Sequence, residues 1–120
     1  MTRTAETQSA SKARLQILTQ ELERYLRLLI AHEQPDRVIV FGSLARGEVH
    51  PWSDIDLVIV KPTSLPFWKR LRRVRQLLKP QVGTDILYYT PQEFEEMQRE
   101  RSFFREEIAG RRRVVYERAG

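Results

Sequence analysis

The chain has 120 residues, no cysteine and a formal net charge of +5. A chain of this length suits one domain with a single core, and the lack of cysteine excludes disulfides and thiolate metal sites. Its apolar runs fall far short of the roughly 20 residues that span a membrane, and the polar N-terminus lacks a signal-peptide core. These features predict a cytoplasmic protein.

The positive charge is concentrated in the second half of the chain. Residues 1–60 carry 7 basic and 8 acidic side chains, a net charge of −1, whereas residues 61–120 carry 14 and 8, a net charge of +6. A basic half attracts nucleic acid, nucleotides or an acidic protein partner, and the sign of the charge does not choose among them.

The N-terminal part of the chain predicts a flexible segment followed by a long helix. Residues 1–10 are polar and lack periodicity, so we expect a flexible N-terminus and a single domain over residues 11–120. Apolar residues recur at helical spacing over residues 11–32. Further apolar residues lie off that stripe, and they pack either within this fold or against a protein partner or a second copy. These residues are Ile17, Leu28 and Ile30.

Two short apolar runs, at residues 38–41 and 57–60, predict neighbouring buried strands because they are rich in β-branched side chains. The first run ends in Gly42-Ser43, and residues 43–46 predict the first turn of a short helix. The second run is preceded by Asp54-Ile55-Asp56. The polar residues of this stretch therefore gather at two strand ends.

Residues two apart in a strand point to the same face, so Asp54 and Asp56 are expected to lie side by side. Two adjacent carboxylates repel each other unless a cation lies between them, and magnesium prefers such oxygen ligands. Gly42 lets backbone amides approach a ligand, and a helix start attracts anions. The stretch predicts a site for a nucleoside triphosphate bound with magnesium, with Gly42 and Ser43 at the phosphates.

Downstream of this stretch, a basic helix is predicted from Leu65 or Pro66 to Lys79. Its Lys and Arg residues form either a solvated face or a docking surface for an acidic partner or RNA. Residues 81–89 predict a third strand that contains Asp85. The predicted buried stripe of the basic helix consists of Phe67, Leu71, Val74 and Leu78.

The C-terminal part predicts two helical segments and a strand. Thr90-Pro91-Gln92-Glu93 has the composition of a capping box, with Thr90 as the cap and Pro91 in the first turn. A further short helix that ends at Gly110 is predicted from Phe103, Phe104 and Ile108. Residues 112–117 predict a last short strand.

The arrangement of Gly42-Ser43, ten residues and then Asp54-x-Asp56 resembles the signature of the nucleotidyltransferase superfamily that includes DNA polymerase β. The compact form GSLARGEVHPWSDIDL is most similar to the minimal nucleotidyltransferases, small prokaryotic proteins that often serve as antitoxins. The resemblance implies an α/β (α+β) nucleotidyltransferase fold, with a small mixed β-sheet of three to four strands flanked by helices.

The resemblance also gives a role to Asp85, which by itself could cap a strand end or pair with an arginine. It implies that Asp54, Asp56 and Asp85 are the catalytic carboxylates and hold two Mg²⁺ ions, with ATP as the nucleotide donor. Asp85 would help to remove the proton of the acceptor hydroxyl. Attack at the α-phosphorus with release of pyrophosphate likewise follows from the resemblance.

Other polar residues of this region are weaker candidates. Arg46 follows the phosphate-binding turn and either reaches the triphosphate or pairs with Glu48. Lys61, at the end of the second strand, is a weaker candidate for the same contact. Ser53 is expected to cap or orient the loop before Asp54, and His50 is expected to be an exposed loop residue.

Many minimal nucleotidyltransferases are paired with a helical HEPN-type RNase toxin and move AMP from ATP onto a toxin tyrosine. The resemblance therefore implies an antitoxin with a HEPN-type toxin as its partner. Two alternatives stay open. One is a small-molecule nucleotidyltransferase, aminoglycoside-like and active as a dimer, although the excess of arginine speaks against it. The other is a non-catalytic protein that neutralises a partner by contact alone.

Overall fold

The structure, a computed structural model, describes residues 5–100 and 112–119. Four helices and four strands alternate along these residues. In chain order they are α1 (Ala5–Leu28), β1 (Arg37–Phe41), α2 (Gly42–Arg46), β2 (Ile55–Val60), α3 (Phe67–Leu78), β3 (Thr84–Tyr89), α4 (Pro91–Glu100) and β4 (Arg113–Glu117). A π-helical turn, Leu29–Glu33, extends α1. The predicted helix at residues 103–108 lies outside the described residues.

The strands form one four-stranded mixed sheet in the order β3-β2-β1-β4. β1 is antiparallel to β2 and to β4, whereas β2 and β3 are parallel. The parallel pair is joined through α3, as a crossover connection requires. This open mixed sheet with flanking helices confirms the predicted fold class.

Both faces of the sheet are covered, because alternate residues of the apolar strands point to opposite sides. α1 and α3 cover one face with fully buried side chains such as Tyr25, Val74 and Leu78. On the other face, Phe94 of α4 packs against Ile39 and two residues of β2. Each such side chain contributes about 1.5–3 kcal/mol through its burial. The residues of β2 that meet Phe94 are Val58 and Val60.

The predicted capping box at the start of α4 is confirmed. The Thr90 amide donates to Glu93 Oε1 at 2.8 Å, and the Glu93 amide donates to Thr90 Oγ1 at 3.1 Å. Each side chain thus satisfies the backbone donor of the other. Arg70 holds the same carboxylate from α3 through Nη1 at 2.6 Å, so the start of α4 is fixed to the rest of the fold.

The structure differs from the sequence-based expectation at the start of α1. The helix begins at Ala5, six residues before the predicted start, so the segment 5–10 is helical. The predicted off-stripe residues Ile17 and Ile30 are 46% and 40% exposed, which agrees with their position away from the core.

Two predictions for α3 were wrong. Phe67 is 39% exposed rather than buried. Its ring lies 5.8 Å from that of Tyr89, the last residue of the edge strand β3, so it packs at the margin of the sheet. Arg70 is only 7% exposed rather than solvated. Its guanidinium donates to the carbonyl oxygens of Leu65 and Tyr88 and to Glu93, so its burial is balanced by hydrogen bonds.

Candidate active site

Asp56 and Asp85 lie directly opposite each other on neighbouring strands. Each is the second residue of its strand, and the parallel register of β2 and β3 pairs them. Paired residues of adjacent strands share a face of the sheet. That face is the one on which Val58 meets Phe94, since Asp56 and Val58 are two apart. The sheet therefore brings together two of the three carboxylates predicted from the sequence.

This proximity changes the ionisation of Asp56. Burial, a hydrogen bond with Asp85 and the negative charges of Asp85 and Asp54 raise the pKa of Asp56 to about 6, although Arg46 opposes the rise. A carboxyl that faces other carboxylates holds its proton because like charges disfavour its ionised form. The third predicted carboxylate, Asp54, thus acts on Asp56 through its charge.

Position 42 requires glycine, because its backbone lies directly against the Asp56 side chain. Its φ of +72° is a conformation that other residues rarely adopt, and a Cβ atom there would lie 2.3 Å from Asp56 Oδ2. The following residue, Ser43, is partly buried in the first turn of α2. The register of β1 and β2 explains this closeness, because Phe41 pairs with Asp56 and α2 begins at the next residue.

The backbone of Gly83 lies as close to the Asp54 side chain as that of Gly42 lies to Asp56. A Cβ atom at Gly83 would lie 2.4 Å from Asp54 Oδ1. The Gly83 carbonyl also accepts a hydrogen bond from the Ile55 amide at 3.0 Å. The sequence analysis placed this glycine in a strand and gave it no role, since its contact depends on the pairing of β2 with β3.

Residues 21–115 match the family model of the nucleotidyltransferase domain. This chain belongs to that family. The comparison with curated proteins finds no significant match.

Two crystal structures resemble this nucleotidyltransferase domain in fold. One is a Sulfolobus solfataricus protein provisionally described as a nucleotidyltransferase, with a TM-score of 0.59 and 17% identity over 98% of this chain and 93% of that chain. The other is a toxin–antitoxin crystallised with AMP-PNP, with a TM-score of 0.53 and 15% identity over 80% and 73% of the two chains. At these identities the likeness concerns the fold. No helix among the described residues has the length and apolar character needed to cross a membrane.

Arg14 of α1 contacts the Asp54 region of the nucleotidyltransferase domain. Its Nε donates to the Ser53 carbonyl at 2.8 Å, and its Nη2 lies 3.7 Å from Asp54 Oδ1. The Asp54 side chain is 52% exposed. Sequence reasoning missed Arg14 because it lies on a distant helix, 39 residues before Ser53, and carries no local signal.

The loop that leads into β2 is fixed by its own hydrogen bonds. Ser53 is buried, and its Oγ accepts a hydrogen bond from the His50 amide at 2.7 Å. This agrees with the prediction that Ser53 orients the loop. His50 stacks on Trp52, with 5.3 Å between ring centroids, and the Trp52 side chain is 74% exposed.

The two basic candidates differ in position. Arg46 forms the predicted ion pair with Glu48, Nε to Oε2 at 3.2 Å, and its charge still acts on Asp56. Lys61 lies at the opposite end of β2 from Asp56, where its Nζ donates to the Glu33 carbonyl. The structure therefore leaves Arg46 near the carboxylates and removes Lys61 from them.

Among the described residues, no three His, Cys, Asp or Glu side chains are grouped closely enough to form a complete metal site. Asp54 and Asp85 are exposed, and Arg14 lies beside Asp54. The donor chemistry nevertheless fits a divalent cation. Burial and the neighbouring carboxylates both raise the pKa of Asp56, and a bound cation would offset the cost of the buried charge as well as the repulsion.

Proposed function

We propose that this domain transfers AMP from ATP to a hydroxyl group of a partner protein, a tyrosine of a HEPN-type toxin, and thereby acts as an antitoxin in the cytoplasm. The observation that carries the proposal is the Asp56–Asp85 pair beside the start of α2. Membership of the nucleotidyltransferase family supports it. The choice of ATP and of a toxin partner is supported by the similar fold that was crystallised as a toxin–antitoxin with AMP-PNP.

Asp54, Asp56 and Asp85 would hold two Mg²⁺ ions. When bound, such a pair of ions stabilises the attacking and leaving oxygens of an in-line displacement. The two glycines that contact Asp54 and Asp56 keep the space around these carboxylates free of side chains, since a Cβ atom at either position would meet a carboxylate oxygen.

The donor triphosphate would lie at the start of α2. Gly42 and Ser43 offer the amides of the first helical turn, and no side chain in the described part of the chain caps that turn. Arg46, in the last turn of α2, would add a positive charge to the same side. Its exposed partner Glu48 (66%) can turn to water when a phosphate takes its place.

Asp85 is suited to the acceptor side because it is the exposed member of the carboxylate pair. The acceptor oxygen attacks the α-phosphorus, and its proton passes to Asp85. The bond between the α-phosphorus and the bridging oxygen breaks, and pyrophosphate leaves with that electron pair. A raised pKa keeps Asp56 from ionising fully in mildly acid solution, so the proposed activity requires neutral or higher pH.

A protein acceptor agrees with the apolar side chains that α1 leaves exposed beside Arg14. Leu15 is 44% exposed and Ile17 is 46% exposed, and Arg14 itself contacts the Asp54 region. Ile17 lies one helical turn from Arg14, so a protein that contacts this exposed apolar side chain would also lie near Asp54.

The experiment incubates the protein with α-labelled ATP, Mg²⁺ and the product of the neighbouring gene. We expect label on the partner protein and its loss in Asp56→Asn. Asp36→Asn is the matched control, because Asp36 pairs with Arg118 outside the site, 3.1 Å apart. Equal transfer by Asp56→Asn would overturn the proposal.

The same assay separates the alternatives. Tight binding of the partner without any transfer of label would support a protein that neutralises by contact alone. Label on an added aminoglycoside, with no label on the partner protein, would support a small-molecule nucleotidyltransferase.

A further inference from the structure

A cleft with two arginines adjoins the candidate active site, between the end of α2 and the start of β4. It measures about 440 Å³ and is lined by Ala45, Arg46, Glu48 and Arg112. Its volume falls within the usual range of small-molecule sites. Two of its four described lining residues are arginines, so the cleft has the chemistry of an anion site.

Arg112 is the most informative residue of this cleft. Its Nη1 atom is buried and has no hydrogen-bond partner in the part of the chain that the structure describes. Its guanidinium lies 5.7 Å from the Phe94 ring centroid, and the guanidinium of Arg37 lies 5.2 Å from the same centroid. Burial and the positive charge of Arg37 lower the pKa of Arg112. The negative charge of Glu117 partly opposes this decrease.

A buried donor without a partner destabilises a protein by about 1–3 kcal/mol, and more when the donor is charged. A guanidinium that is partly buried, unpaired on one buried nitrogen and repelled by a neighbouring arginine is therefore an unfavourable arrangement in isolation. An anion in the cleft would reverse each of these effects. It would accept the free N–H and offset the charge of Arg37.

The sheet register relates this cleft to the carboxylates. Val40 of β1 pairs with Arg113 of β4, so in this antiparallel pairing Arg112 lies next to Phe41. On its other side Phe41 pairs with Asp56. Arg112 and Asp56 are thus two strand spacings apart, about 10 Å, at the same end of the sheet. Phe41 packs against the cluster that contains Phe94, and the Arg112 guanidinium lies over the Phe94 ring, so both side chains lie on the same face of the sheet.

We propose that Arg112, together with Arg46, binds the terminal phosphates of the nucleoside triphosphate donor. This inference rests on the proposed function for the identity of the nucleotide. Arginine suits the role because its planar fork donates two parallel hydrogen bonds to a phosphate. Arg46 exchanges its exposed partner Glu48 for the phosphate, and Arg112 gains the acceptor that its buried nitrogen lacks.

The first test uses inorganic tripolyphosphate in the presence of EDTA, so that no divalent cation contributes to binding. Calorimetry is expected to show binding to the unaltered protein and at least tenfold weaker binding to Arg112→Gln. Arg113→Gln is the matched control, because it removes the same charge from an exposed neighbour and should leave the affinity within about twofold.

A folding control accompanies this test. Arg112→Gln removes a partly buried charge with an unpaired buried nitrogen, so its Tm without tripolyphosphate should equal or exceed that of the unaltered protein. If the variant does not fold, Arg112→Lys replaces it, since lysine keeps the charge and loses the fork. The expected result is then weaker binding of tripolyphosphate with an unchanged Tm.

The second test compares ATP with AMP in the presence of Mg²⁺. Arg112→Gln should weaken ATP binding at least tenfold and leave AMP binding unchanged, because AMP lacks the terminal phosphates. Tripolyphosphate and ATP affinities that are the same in Arg112→Gln and in the unaltered protein would overturn the inference, even if AMP transfer is intact. Loss of tripolyphosphate binding in a protein that transfers no nucleotide would support this site and contradict the proposed function alone.

Discussion

Two acidic side chains, the buried Glu21 and the partly buried Asp56, have opposite electrostatic environments. Glu21 accepts hydrogen bonds from Arg24 Nε at 2.7 Å and Nη2 at 2.8 Å and from the Gln81 amide at 2.7 Å. Its hydrogen bonds with Arg24 lower its pKa to about 2. Asp56 instead faces Asp85, and burial together with that neighbour raises its pKa to about 6.

The contrast separates a carboxylate that stabilises the fold from one that destabilises it. Arg24 also donates to the Leu78 carbonyl at 2.7 Å, so the Glu21 cluster ties α1 to the end of α3 with its donors and acceptors paired. The Asp56 cluster leaves negative charge unbalanced. Proteins retain such an arrangement at sites of function, where a ligand supplies the missing charge.

The largest stability effect is expected from Asp56→Asn. An amide has nearly the same shape as the carboxylate, and it removes both the burial of a charge and the repulsion with Asp85. The free energy of unfolding without metal at pH 7–8 should therefore rise by up to about 3 kcal/mol, the equivalent of the pKa shift. Urea denaturation at fixed pH measures this, and a decrease in stability would contradict the electrostatic account.

The pH dependence provides the control for that variant. Because the pKa of Asp56 is raised on folding, the native protein binds more protons than the unfolded chain between pH 6 and 4. Stability of the metal-free protein should thus increase as pH falls through this window. Glu21 has a lowered pKa, so its contribution is lost as pH falls from about 4.5 toward 2. Asp56→Asn should flatten the first slope and leave the second.

Glu21→Gln is expected to have the opposite effect on stability. It leaves Arg24 partly buried beside a neutral partner, which should lower the free energy of unfolding by about 2–3 kcal/mol. Glu23→Gln, an exposed change on the same helix, is the matched control and should stay within about 0.5 kcal/mol. Equal effects of the two changes would show that the hydrogen bonds of Glu21 do not contribute measurably to the free energy of unfolding.

A pair of glycine substitutions tests the space around Asp56. Gly42 and Gly47 both have positive φ, +72° and +74°, but only at Gly42 would a Cβ atom meet another residue. Both alanine variants should lose about 1 kcal/mol from backbone strain. Gly42→Ala should in addition displace Asp56 and reduce nucleotide transfer at least tenfold more than Gly47→Ala does. Equal activities would show that the contact with Asp56 is not needed.

The sequence predicted what depends on local pattern. The β-branched runs located β1 and β2, and the spacing of Asp54 and Asp56 located the candidate site, because strand periodicity is a property of adjacent residues. Asp85 required the family resemblance, since nothing in its own segment distinguished it. The burial of Arg70 was missed because its partners come from β3 and α4.

Gly83, Arg14 and Arg112 could not be found from the sequence for a related reason. Each acquires its significance from a chain segment that is remote in sequence: Asp54 for Gly83 and Arg14, and Phe94 with Arg37 for Arg112. Single-sequence patterns carry no information on such pairings. The contacts of these three residues therefore become visible only in the tertiary structure.

The smallest expected effect belongs to Arg14, which gives Asp54 the kind of partner that Asp56 lacks. The pair is long, 3.7 Å, and Asp54 is half exposed, so its contribution to stability is at most about 1 kcal/mol. A divalent cation at Asp54 must compete with this guanidinium. Arg14→Met should therefore lower the Mg²⁺ concentration for half-maximal nucleotide transfer by up to about fivefold, the equivalent of that energy.

Arg27→Met is the matched control for Arg14, because it removes the same charge from an exposed position further along α1 and should leave the Mg²⁺ requirement unchanged. A higher Mg²⁺ requirement in Arg14→Met would reverse the interpretation. The hydrogen bond from Arg14 to the Ser53 carbonyl would then matter more than its charge. Arg14 would in that case position the loop before Asp54 rather than compete with the metal.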